Sequence, residues 1–176
     1  MINIKMNKNI ILGFADDAYK KAEKFGIKTY KYITCGVLLI NLKKMRKENI
    51  SKKFFDFINN NKKRLSQNDQ TVINIVLHGR IDFLPPKFGI WNFINEENVL
   101  KHNYYGNKKL GIQAYNNDEI LKGWRQPSIL HYVSGKPWKR KSPFKTQRFF
   151  QEKWWEYAKK SDEFKNILKF TKHKKI

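Results

Sequence analysis

The stretch YITCGVLLINL, residues 32–42, decides the fold class. Val37 to Ile40 run without a polar break, Leu42 follows after Asn41, and Gly36 stands at the entry to the run. Strict apolar–polar alternation marks a strand with one wet face, whereas a short continuous run marks a strand covered on both faces, as in a sheet flanked by helices. The neighbouring segments agree. NIILGFADD, residues 9–17, reads as a short apolar strand ending in a loop at Asp16 and Asp17. Downstream, Ile50, Phe54, Phe57 and Ile58 recur at helical spacing, and NNNKKR, residues 59–64, ends that helix.

The next segment, SQNDQTVINIVLHG (66–79), predicts a second helix. Ser66 is placed to cap its first turn, Asp69 stands at the reciprocal capping position, and Gly79 is placed to stop it. RIDFLPP (80–86) then gives a short strand that two prolines terminate. From Lys87 to Gly123 no periodicity is clear, which predicts a long irregular excursion, and PSILHYV (127–133) returns to the sheet. In PFKTQRFFQEKWWEYAKK (143–160), Phe150, Trp154, Tyr157 and Ala158 fall at helical spacing. SDEFKNILKF (161–170) adds a smaller amphipathic helix with acids in its first turn. The expectation is a single α/β domain over residues 1–142, followed by basic amphipathic helices over 143–176.

Composition fits that size. With 176 residues, 40% hydrophobic and 15% aromatic, the chain buries the core of one ordinary domain. No window approaches the roughly 18 consecutive apolar residues of a membrane-spanning helix. The start, MINIKMNKNIILGFADD, lacks the apolar core and cleavage site of a secretory signal, so a cytoplasmic protein is expected. The one cysteine, Cys35, has no internal disulfide partner and reads as a small apolar residue.

The net charge of +22 allows two readings. Basic chains bind polyanions, whether nucleic acid or an anionic membrane face, and evenly spread lysine also follows from composition alone. From Lys136 to Ile176 there are 14 Lys+Arg against 4 Asp+Glu, yet Glu152, Glu156, Asp162 and Glu163 interrupt the run. KRKSPFKTQRFF (139–150) and FKNILKFTKHKKI (164–176) interleave aromatics with cations, as single-strand binders do. Those aromatics also fall at helical spacing, which points them at a core. A basic module binding nucleic acid or a membrane surface without catalysis is therefore the alternative reading, with nucleic acid the weaker partner.

Strands covered on both faces put ligands at their carboxyl ends. His131 stands at such an end in SILHYVSGKPW (128–138), and Gly135 and Lys136 follow in the loop. A neutral imidazole suits a divalent transition metal, and an ammonium beside flexible backbone N–H groups suits phosphate, so together they suit a metal-bridged diphosphate. Spacing alone favours a plainer pair: a satisfied histidine near the core and a solvated lysine.

Three segments change that balance. YITCGVLLINLKKMR (32–46), NDQTVINIVLHGRIDFLPPKF (68–88) and ILHYVSGKPWK (129–139), in this order and at these separations, resemble the second half of the family-8 glycosyltransferases. That family includes bacterial lipopolysaccharide glucosyl- and galactosyltransferases and glycogenin. The resemblance covers about residues 9–160. It implies a partial GT-A fold, a donor such as UDP-glucose or UDP-galactose, Mn²⁺, and hexose transfer with retention to a lipopolysaccharide or other glycan or lipid-linked acceptor. Peripheral contact with the inner membrane face is compatible with it.

Position by position, the resemblance makes His131 the metal ligand and gives Gly135 and Lys136 the donor diphosphate. Asp69 and Gln70 match the pair near the transferred sugar, with the glutamine amide beneath the reacting centre. Asp17 matches an aspartate that holds donor hydroxyls. Thr34 stands where the family usually has asparagine in the pattern before GVLLINL, so an amide is replaced by a hydroxyl. The resemblance also implies an amino-terminal half ending in an Asp-x-Asp motif. The segment before Asn9 is too short for it, and ADD and NND are poor matches. The expectation is a chain with impaired transfer on its own, to which a second chain could supply the missing carboxylates along an exposed sheet edge.

Overall fold

The computed structural model describes residues 4–6, 8–15, 20–29, 31–65, 68–94, 97, 106–107, 112–133, 136–138 and 148–171. Three strands form the main sheet, β1 (Ile11–Ala15), β2 (Ile33–Ile40) and β3 (Ile81–Phe83), in the order β2-β1-β3. β2 runs antiparallel to β1, and β3 runs parallel to it. Helix α1 (Lys20–Glu23) leads into β2. Helices α2 (Leu42–Lys47), α3 (Ile50–Asn61) and α4 (Asn68–Val76) make the crossover to β3. The α3 stripe predicted at helical spacing is present: Ile50 is buried and Phe54 packs against the same cluster as β-strand residues Ile11, Ile33 and Ile81. Each fully buried aliphatic side chain of this kind stabilises the fold by about 1.5–3 kcal/mol. Gly79, at φ +75°, ends the α4 segment as expected.

The structure corrects the reading of β2 as covered on both faces. Its first residues are buried, but Leu39 and Ile40 are each 37% exposed, at the far end of an edge strand. Its pairing with β1 is also irregular. Gly13 stands opposite Leu38 and Ala15 opposite Ile33, so residues 34–37 face the single residue Phe14. Such a bulge bends the strand away from its neighbour. Asn74 of α4 holds the bulge's entry: its Oδ1 accepts from Ile33 N at 2.8 Å and its Nδ2 donates to Ile33 O at 2.8 Å. The side-chain amide thus serves one residue of β2 as a neighbouring strand would.

The excursion from Lys87 to Gly123 is more regular than its sequence suggested. A 3₁₀ turn at Pro86–Phe88 leads into β4 (Ile90–Trp91), and a hairpin pairs β5 (Gly106–Asn107) with β6 (Ile112–Gln113). Helix α5 (Asn117–Arg125) follows, started by a full capping box between Asn116 and Glu119. Ile120 and Leu121 of α5 bury into a second core with Ile90, Ile94, Tyr115 and Phe150. β7 (Leu130–His131) does not return to the main sheet but pairs in parallel with β4.

Helix α6 (Arg148–Ala158) docks on that core through Phe150, which is fully buried. Of the predicted stripe, Phe150 and Ala158 are buried as expected. Trp155 is buried whereas Tyr157 is 69% exposed. Trp138 and Trp154 pack against each other with ring centroids 4.9 Å apart and planes tilted by 39°. Helix α7 (Phe164–Thr171) begins after Asp162 and Glu163, so these acids precede its first turn. No helix among the described residues is long and apolar enough to cross a membrane.

Candidate functional site

Two short parallel strands carry the histidine. Ile90 stands opposite Leu130 and Trp91 opposite His131, so His131 ends β7 beside the end of β4. From there its ring reaches the main sheet at the β2 bulge. A Cβ placed on Gly36 would lie 1.8 Å from His131 Cε1, 2.2 Å from Nε2 and 2.6 Å from Nδ1. The imidazole therefore lies against bare backbone, and only glycine leaves room for it. Gly36 marks the entry to the decisive apolar run because a histidine almost a hundred residues away packs there.

Nδ1 of His131 is buried without a hydrogen-bond partner. Burial, and secondarily the positive charge of Lys136, holds the histidine below its ordinary range, so the ring is neutral at pH 7. The Lys136 ammonium donates to the carbonyl of Tyr132, folding back over its own loop. Tyr132 in turn donates from its hydroxyl to Phe150 O at 2.6 Å, and burial pushes its phenol up to about 12. Val133 N donates to Asn92 Oδ1 at 2.7 Å.

The remaining residues from the sequence reading are placed less uniformly. Thr34 is buried in the β2 bulge, two residues before Gly36. Gln70 is half-buried, and its carbonyl accepts from Asn74 Nδ2 at 2.8 Å, on the helix face that also grips Ile33. Asp69 is exposed; its Oδ1 accepts from Gln70 N at 2.9 Å within the first turn of α4. Its side chain lines an apolar groove of about 470 Å³ with Phe54, Phe55, Ile58 and Val72 of α3 and α4. Its predicted capping partner Ser66 lies outside the described residues, as do Asp16, Asp17 and Gly135. Ala15, just before Asp16, is fixed by Tyr115: the hydroxyl accepts from Ala15 N at 3.2 Å and donates to Leu84 O at 2.7 Å, and burial raises that phenol's pKa.

Sequence reasoning thus missed Asn74, Asn92 and Tyr115, each of which holds a strand end around the site. Asn74 and Asn92 are polar residues in apolar surroundings (VINIV and IWNFI), which is the signal that could have found them; Tyr115, in QAYNN, carries no such signal.

As a metal centre the site is incomplete. A metal-bound imidazole ordinarily gives its second N–H to an acceptor, and Nδ1 here has none. Among the described residues no group of three or more His, Cys, Asp or Glu side chains could hold an ion. The described residues therefore do not by themselves fit Mn²⁺.

Known proteins are similar to this chain over most of its length. A Bacillus subtilis (strain 168) protein, general stress protein A, is 29% identical over 126 residues, covering 69% of this chain and 41% of its own length. Glycosyltransferase GlyB of Streptococcus pneumoniae serotype 4 is 27% identical over 135 residues, covering 77% of this chain and 30% of its own length. A crystal structure of the galactosyltransferase LgtC with donor and acceptor sugar analogues superposes with a TM-score of 0.68 at 20% identity, over 94% of this chain and 58% of LgtC. The chain spans less than two thirds of the length of each of these relatives. The fold is thus of the LgtC, GT-A-like kind. The family profile of glycosyl transferase family 8 matches residues 1–142, and the chain belongs to that family.

Proposed function

We propose that the chain recognises the diphosphate of a nucleotide sugar through His131 and Lys136. In this reading it serves the retaining transfer of a hexose from UDP-glucose or UDP-galactose to a lipopolysaccharide or other glycan acceptor. The observation that supports it is the seating of His131 on Gly36, with the Lys136 ammonium bonded to the carbonyl of the next residue, Tyr132. A neutral, ring-locked imidazole and an ammonium on one short loop match a doubly charged leaving group better than a neutral ligand.

The side chains divide the work by their chemistry. Lys136, released from Tyr132 O, neutralises charge on the departing diphosphate, and Gly135 lets backbone N–H groups approach it. Gln70 presents its amide at the reacting centre, with Asp69 beside it, and Asp17 and Thr34 hold donor hydroxyls. The oxocarbenium-like centre that develops during glycosyl transfer is thereby fixed by polar groups that need not reorganise. His131 becomes a metal ligand only when carboxylates arrive from outside the described residues. A second polypeptide segment packing along β2, next to the exposed Leu39 and Ile40, is the natural carrier. Residues 143–176 form the basic appendage of this scheme. Exposed Phe149 and Tyr157 on α6 suit peripheral contact with the inner membrane face of the cytoplasm.

Saturation-transfer NMR on the full chain tests the donor reading. UDP-glucose or UDP-galactose should show transfer that Lys136→Ala weakens, and UMP, which lacks the second phosphate, should bind less. Equal binding of UMP and UDP contradicts a diphosphate site. The purified chain should release little or no UDP from either sugar unless a carboxylate-bearing polypeptide is added, and steady release by the chain alone refutes that requirement.

A further inference from the structure

We propose that Asn92 is a positioning residue that holds His131 to Val133, the segment on which Lys136 rests, in its binding geometry, an inference that rests on the diphosphate reading. Asn92 is fully buried immediately after β4. Its backbone N donates to His131 O at 3.2 Å, continuing the parallel ladder by one step. Its side-chain Oδ1 then accepts from Val133 N at 2.7 Å, where the chain leaves the ladder.

That step matters because the ladder itself is so short. β4 and β7 pair over only Ile90–Leu130 and Trp91–His131, too little to hold a loop by backbone bonding alone. Three successive residues are pinned instead from three sides. His131 rests on Gly36 and on the Asn92 N–H, Tyr132 is tied to Phe150 O, and Val133 is tied to the Asn92 amide. Lys136 bonds to the carbonyl of Tyr132, in the middle of this pinned segment. Removing the Asn92 oxygen leaves the half-buried Val133 N–H only its longer bond to His131 O, at 3.1 Å, and loosens the hinge between the two ligand-facing residues. The bonds Asn92 makes here are to the backbone of His131 and Val133, so it acts through the placement of ring and ammonium.

The test uses the full chain as parent, Asn92→Ala, Asn92→Asp and Lys136→Ala. Pyrophosphate is titrated by calorimetry, and exchange of the Val133 amide is followed by NMR. Asn92→Ala should weaken pyrophosphate binding about tenfold or more and speed Val133 exchange by a similar factor, as expected for one lost hydrogen bond. Asn92→Asp keeps the accepting oxygen and should recover most of both, a rescue that a purely space-filling role does not give. Where the alanine variant does not fold, Asn92→Thr, of similar volume with a hydroxyl one bond short of Val133, replaces it. Unchanged Val133 exchange, or unchanged affinity beside a parent that Lys136→Ala weakens, overturns the proposal. Absence of pyrophosphate binding by the parent overturns the diphosphate reading, while the Val133 exchange rate still decides the role of Asn92.

Discussion

Replacing Gly36 by alanine tests whether the His131 ring and the β2 backbone are built for each other. Gly36 does not adopt positive φ, so an added methyl group strains no backbone angle. The whole cost falls on one neighbour. At 1.8 Å from Cε1 the new Cβ overlaps the imidazole, and reaching ordinary contact at 3.4 Å requires the ring to retreat by about 1.6 Å. A shift of that size in a packed site costs about 1–3 kcal/mol. Against this, alanine in a strand interior is favoured over glycine by about 0.5–1 kcal/mol. The net loss in urea unfolding should therefore lie between about zero and 2.5 kcal/mol.

A double-mutant cycle isolates the contact. In a His131→Ala background the clash partner is gone, so Gly36→Ala should be neutral or stabilising by about 0.5–1 kcal/mol, giving a coupling of about 1–3 kcal/mol. Ligand recognition should fall further than stability, since displacing a ligand-facing group by 1 Å costs about 100-fold in well-ordered sites. Additivity of the two substitutions to within about 0.5 kcal/mol would refute the reasoning, because the ring would then not rest on residue 36.

Other consequences concern the strand ends around the site. Asn74→Ala strips Ile33 of partners for both its N–H and C=O and should destabilise the chain by about 2–4 kcal/mol in denaturant unfolding, with unsatisfied peptide groups costing about 1–3 kcal/mol each. Tyr115→Phe unties Ala15 N from Leu84 O and should lower stability by about 1–3 kcal/mol, with faster amide exchange at Ala15 as its local signature. His131 contributes to pH dependence with a definite sign. Its folded pKa lies below the ordinary 6.5, so the unfolded chain takes up the proton first. Stability should fall as pH drops from about 6.5 through the folded pKa and then level off, and His131→Ala should flatten that slope in urea midpoints measured across the range.

Residue pattern carried the main sheet well because its signals are local. The apolar run at Val37 to Ile40, the proline stop after Ile81–Phe83 and the glycine after α4 each act within a few residues of themselves. What the pattern could not carry was set by distant partners. The outer half of β2 reads as buried, yet in the described structure nothing pairs beyond it and Leu39 stays half-open. α5 was hidden because its helical stripe spans only Ile120, Leu121 and Trp124, short of the window over which periodicity becomes visible. In α6 Phe150 and Ala158 are buried as read, but Trp155 is buried while Tyr157 is exposed, since adjacent aromatics leave the phase of the stripe ambiguous. For the site, the motif segments named His131 and Lys136, but the residues that fix them, Gly36 and Asn92, become visible only when β4, β7 and the β2 bulge are brought together.

The most direct test of diphosphate recognition at His131 and Lys136 is a calorimetric titration of the full chain with UDP, in the presence and absence of Mn²⁺, beside His131→Ala. The account predicts heat of binding for the parent that the variant loses. No heat from the parent under either condition, or the same heat from both proteins, would contradict it.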